Sequence, residues 1–133
     1  MRFMMLVIPK GYESARPDQM PDPKQVEEMM KYNESLAKAG VLLSLDGLLP
    51  PSAGARVTFS GGNPKVTDGP FSEAKECVGG YWMIQVKSRE EAIEWAKRAP
   101  MKDSEIIEVR QVHEMTDFPP EIQAAAAELH RLL

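Results

Sequence analysis

"GGYWMIQVKSREEAIEWAKRAP", residues 79–100, reads as a strand that runs straight into a helix. In its first half Trp82, Ile84 and Val86 fall on one side, and Tyr81, Met83, Gln85 and Lys87 on the other. That is the alternation of a β-strand. The first set is apolar and should meet helices. Ser88-Arg89-Glu90-Glu91 then forms a capping box, in which the serine accepts from the backbone while Glu91 reaches back. Ala92, Ile93, Trp95, Ala96 and Ala99 supply the buried face of the helix, and Pro100 prevents its continuation.

The same signals recur on both sides of this unit. Residues 2–9, "RFMMLVIP", are an apolar run of buried-strand length. Residues 10–22 are rich in Gly, Pro and Asp and read as a loop. Asp22-Pro23 is an N-cap followed by proline at the first helical position. Val26, Met29, Met30, Leu36 and Ala37 then recur near helical spacing, Asn33 interrupts the stripe, and Gly40 ends it. Residues 41–51 read as a strand, and residues 55–69 as a hairpin turning at Gly61-Gly62-Asn63-Pro64. In the last strand, 104–115, Ile107, Val109, Gln111 and His113 share one face, and Ile106, Glu108, Arg110, Val112 and Glu114 the other. A helix entered through Pro119-Pro120 closes the sequence.

This order predicts an α+β fold: a ferredoxin-like βαββαβ sandwich with an inserted hairpin, over residues 1–115, and a C-terminal helical extension over 116–133. A sheet with helices on one face leaves its other face open. A second copy of the chain is the simplest cover, so a homodimer is expected, with room for a cavity between sheet and partner.

With 133 residues and 43% hydrophobic content, one domain with a real core is expected. The formal charge of −4, with no basic run, argues against direct nucleic-acid binding. No apolar run approaches the roughly 20 residues of a membrane span. The single cysteine, Cys77, allows no internal disulfide and fits a cytoplasmic setting. His113 and His130 make no metal-ligand pattern, so neither a metal nor another cofactor is expected.

Between the hairpin and the strand at 79 the sequence becomes specific. Asp68-Gly69-Pro70-Phe71 is followed by Glu73, Lys75 and Glu76, then Gly79-Gly80-Tyr81. This run resembles the DGPF subgroup of the YCII-related family, and the resemblance covers about residues 2–115. It implies a dimeric ferredoxin-like fold of the dimeric α+β barrel type and a pocket that serves as an active or binding site, without a settled reaction. Some members of the wider family use a histidine–aspartate pair, whereas the first helix here, "KQVEEMMKYNESL", carries no histidine. Leu45-Asp46 stands where many members have Gly-Glu. Genes of the subgroup also lie beside, or fused to, sigma-factor genes, which implies a regulatory alternative.

Asp68 has two readings. It could fold a turn by accepting from the backbone two residues on, in which case its removal would cost about 0.5–2 kcal/mol. It could also face a cavity as a general base. Asp46 would join it as a second catalytic carboxylate. Lys75, Tyr81, Arg110 and Phe71 are the ligand-binding candidates, with Arg110 seeking Asp46 or Asp68 as partner. His113 is the remaining imidazole base, and Cys77, without a neighbouring histidine, reads as inert. The leading expectation is a cytoplasmic homodimer that binds a small organic molecule in a sheet-lined pocket, with cofactor-free acid–base chemistry open to it. The competing expectation is a non-enzymatic module acting with a sigma-factor-type partner through the apolar face of its last helix.

Overall fold

The computed structural model describes residues 1–71 and 76–133. Four strands form an antiparallel sheet: β1 (Arg2–Ile8), β2 (Leu42–Gly47), β5 (Gly80–Gln85) and β6 (Ile106–Gln111), in the order β2-β5-β1-β6. Among the described residues β3 (Ala55–Ser60) and β4 (Asn63–Asp68) pair only with each other, as a hairpin turning at Gly61-Gly62. Helix α1 (Pro23–Lys38) joins β1 to β2, α2 (Arg89–Lys97) joins β5 to β6, and α3 (Pro120–Leu132) follows. With the hairpin set aside this is a mixed α+β chain with a four-stranded antiparallel sheet, consistent with a ferredoxin-like fold. The strands at 80–85 and 106–111 are shorter than the expected stretches, although single backbone bonds continue past them, from the Val86 N–H to the Met1 carbonyl and from the Val112 N–H to the Arg2 carbonyl, each at 2.9 Å.

Register follows the hydrophobic alternation. Phe3 and Met5 on β1 lie opposite Ile84 and Trp82 on β5, and all four side chains are buried beneath the helices. Burying such a side chain contributes about 1.5–3 kcal/mol. The capping signals at 22 and 88 are realised: Asp22 accepts from the Lys24 N–H and Ser88 from the Glu91 N–H. The Glu91 carboxylate reaches back one residue further than a capping box requires, to the Lys87 N–H at 2.8 Å.

The buried face of α1 differs from the expected stripe. Met30 and Ala37 are exposed, while Tyr32 and Leu36 are buried. Asn33 does not interrupt this face but serves it, since its Oδ1 accepts from the Trp82 indole N–H at 2.7 Å. The Tyr32 ring meets the Trp82 ring edge-on, 5.1 Å between centroids, and its hydroxyl donates to the Trp95 carbonyl on α2 at 2.7 Å. Burial pushes the Tyr32 phenol up to about 12, so it keeps the proton that this bond needs.

α3 packs against the turn Met115–Asp117 and buries none of its own residues. Ile122, Leu129 and Leu132 stay exposed along it.

Removing the acceptor at Asn33 leaves a buried indole N–H without a partner. Asn33→Ala should therefore lower the unfolding free energy by about 1–3 kcal/mol, read by urea denaturation. Asn33→Asp, which keeps an acceptor oxygen, should lose less; equal losses would remove this hydrogen bond from the account of the core.

Candidate functional site

The strand register sorts the candidate residues. Antiparallel partners share a face, so Met4, Leu6 and Ile8 lie on the side away from the helices, together with Tyr81, Met83, Asp46 and Arg110. Asp46 and Tyr81 are direct cross-strand partners, and the Tyr81 hydroxyl donates to Asp46 Oδ2 at 3.0 Å. Their approach depends on Gly80, where a Cβ would come within 2.8 Å of the Asp46 carbonyl oxygen. Gly80 is thus a position where the two strands come too close for a side chain.

Pairing continues one step past the strand ends, with the Leu48 N–H donating to the Gly79 carbonyl at 2.9 Å. By alternation Leu48 shares the face of Asp46. It is also the first wall residue of a cavity of about 300 Å³. Leu49, Pro50, Val78, Cys77, Phe71 and Arg56 continue that wall. The Arg56 guanidinium stacks over the Phe71 ring, 4.1 Å from its centroid. The Tyr12 hydroxyl donates to the Leu48 carbonyl and ties the turn Tyr12–Ser14 to the same end of the sheet. The Ser52 hydroxyl, donating to the Ala15 carbonyl at 2.8 Å, adds a second tie. Burial pushes the Cys77 thiol up from its usual range, Glu13 adds to the rise, and Arg56 opposes it. At ordinary pH the thiol is therefore a neutral wall group.

A larger hollow of about 440 Å³ lies between α2 and β6. Its two charged wall residues are already engaged. Lys97 pairs with Glu94 at 2.9 Å, and the Glu105 carboxylate caps the Lys102 and Lys10 N–H groups. It is an open groove at the edge of the core whose charged groups already have partners.

The remaining sequence candidates fall elsewhere. Asp68 ends β4 opposite Ala55, on the hairpin face of Val57 and Val66, while Arg56 lies on the other face. The Asp68 side chain is exposed and is not a wall of the cavity. The turn expected of it needs an N–H two residues on, and Pro70 has none. The residue that the fold requires here is Gly69: its N–H donates to the Gly54 carbonyl at 2.9 Å, and a Cβ on it would lie 1.7 Å from the Pro51 carbonyl oxygen. Arg110 is 71% exposed and pairs with Glu108 at 3.4 Å, not with Asp46 or Asp68. Asp46 and Arg110 sit on opposite edge strands, three strand spacings or roughly 14 Å apart. His113 is exposed, with its ring against Phe118 at 5.2 Å. Lys75 and Glu73 lie outside the described residues.

Arg56 escaped the sequence reading. The signal for it was the alternation of Arg56, Thr58 and Ser60 along one side of the hairpin, which sets the arginine on the polar face. Among the described residues no group of His, Cys, Asp and Glu could hold a metal ion, and no helix is long and apolar enough to cross a membrane.

The YCII-related domain matches residues 1–116. An uncharacterised protein of Rhizobium meliloti (strain 1021) is 32% identical over 76 residues, covering 57% of this chain and 61% of its own length. The chain thus spans about three fifths of the curated relative that it matches.

Two measurements follow from this geometry. Gly69→Ala should destabilise by about 1–3 kcal/mol, because a backbone oxygen cannot yield to the new methyl, whereas Asp68→Ala should stay within about 0.5 kcal/mol, as exposed substitutions do; the reverse order in urea melts would return the turn to the aspartate. For Cys77, the rate of iodoacetamide alkylation should reach half its plateau at a higher pH than for a free thiol, and a midpoint at or below the free-thiol value would contradict a half-buried sulfur with Glu13 nearby.

Proposed function

The chain belongs to the YCII-related family, and from that premise we propose that it is a homodimer of DGPF type that binds a small organic molecule at the Asp46–Tyr81 end of its sheet. The observation that carries the reading is the Tyr81–Asp46 hydrogen bond, on the sheet face away from the helices and in register with the cavity wall at Leu48. Small-molecule sites are mostly apolar concavities of ~300–1,000 Å³ with a few polar groups; the cavity lies at the small end of that range, and Asp46 and Tyr81 stand next to its Leu48 wall without lining it. A carboxylate that already accepts from a phenol can orient a ligand hydroxyl or amine. If chemistry follows binding, Asp46 is the general base and Tyr81 the proton partner, in place of the Asp68 expected from sequence.

The second copy is proposed from two surfaces. Met4, Leu6, Ile8 and Met83 form an apolar patch on the sheet face away from the helices, and each remains partly exposed. The hairpin adds Val57, Phe59 and Val66, which are 51%, 77% and 66% exposed. A lone hairpin is marginal in water, so a partner that covers this face also supports the element carrying Arg56. A non-enzymatic role with a sigma-factor-type partner is favoured by one observation only, the exposed apolar residues of α3.

A thermal-shift screen of small organic compounds, run on protein whose mass has been read by light scattering, tests the proposal. The expected result is twice the chain mass, with stabilising compounds whose affinity falls about 2–10-fold in Tyr81→Phe and in Asp46→Asn, the range for one lost hydrogen bond. A monomer at micromolar concentration overturns the dimer. Hits that ignore both substitutions overturn the site, and a screen without hits, beside a protein partner lost on truncation after Phe118, favours the module.

A further inference from the structure

We propose that Arg56 makes the cavity an anion site, fitted to a small organic carboxylate with an apolar body; this rests on the ligand-pocket reading above and names the ligand class for it. Three observations converge. The wall residues Leu48, Leu49, Pro50 and Val78 are apolar and offer an open surface on which a hydrocarbon body can lie. The cation in that wall is held in place, since the Arg56 guanidinium lies over the Phe71 ring at 4.1 Å. Stacking of this kind uses the flat face of the guanidinium and leaves its N–H edge free for an acceptor lying in the plane. Finally, among the described residues Arg56 makes no ion pair within 4.0 Å and no side-chain hydrogen bond, although the chain carries an excess of acidic residues.

Among the described residues no carboxylate pairs with Arg56. Asp46 accepts from Tyr81. Asp68 lies on the far face of the hairpin. Glu13, on the Tyr12–Ser14 turn, is not a wall residue; it adds to the rise of the Cys77 thiol, and its Oε2 is buried without a hydrogen-bond partner among the described residues. With no acceptor for Arg56 among the described residues, a neutral ligand would fill the cavity and leave the guanidinium edge unmatched. A carboxylate offers two coplanar oxygens that match the fork, and its body fits the apolar wall. The volume of about 300 Å³ restricts that body to a single ring or a short chain.

The experiment is calorimetric titration of the full chain with benzoate and hexanoate, each against its uncharged amide. At least one carboxylate should bind about tenfold or more tightly than its amide, as expected of a hydrogen bond to a charged group, and the margin should shrink as salt is raised. Arg56→Met should remove the margin, and Arg56→Lys should keep part of it. Phe71→Leu, which takes away the ring that orients the guanidinium, gives a second, independent reading should Arg56→Met fail to fold. Equal binding of acid and amide by the wild-type protein, or a margin that survives both Arg56→Met and Phe71→Leu, overturns the anion inference while the pocket stands. Absence of saturable heat from all four compounds overturns the pocket as well.

Discussion

The structure turns on one indole. Trp82 sits at the centre of the sheet, 4% exposed, and its N–H needs an acceptor that an apolar core does not contain. Asn33 supplies it from α1. The neighbouring Tyr32 packs edge-on to the same ring and passes the connection on to α2 through the Trp95 carbonyl. Two hydrogen bonds and one aromatic contact thus fix the rotation of α1 against β5 and its distance from α2. Each of these groups would be costly to bury alone, and together they are satisfied. Hydrophobic area would hold the helices on the sheet in any case, but it is non-directional. The polar pairs decide which residues of α1 face inward.

That choice reaches the opposite side of the sheet. When Trp82 points to the helices, Tyr81 must point away, because successive strand residues alternate. Tyr81 then meets Asp46 across the β2–β5 ladder. The core tryptophan and the site tyrosine are adjacent residues serving opposite faces, so a slip of one residue in β5 would expose the indole and bury the phenol. The candidate site owes the direction of the Tyr81 hydroxyl to the core, and its closeness to Asp46 to the missing side chain at Gly80.

How much of this is legible in sequence depends on whether the signal is local. The faces of β5, the Ser88 cap and the Asp22-Pro23 helix start are written within a few residues and were readable. Asn33 looked like a break in a stripe because its acceptor role appears only when Trp82, 49 positions on, is placed against it. Arg56 was passed over for the same reason: its stacking partner Phe71 is 15 positions away, across a turn and a strand. Arg110 invited a carboxylate partner from the sheet, yet the strand order puts it on the far edge, where Glu108 two residues away is nearer. A sequence shows which residues alternate together. It does not show which strands are neighbours, and here that decides every pairing across the site.

The Asp68-Gly69-Pro70-Phe71 run shows how the structural demands on a motif can fall on residues other than its most reactive one. Its aspartate has the chemistry, which is why it draws attention. Yet the demands of the surroundings fall on Gly69, which passes against the Pro51 carbonyl where no side chain fits, and on Phe71, whose ring carries Arg56. Pro51 is itself a wall of the cavity. The close approach at Gly69 therefore fixes the end of the hairpin against the wall it helps to build, and Phe71 follows two residues later at the distance that this contact allows. In this reading the motif is a hinge-pin and a platform: glycine sets the separation, phenylalanine presents a flat surface, and the charge that meets the cavity comes from the arginine on the neighbouring strand.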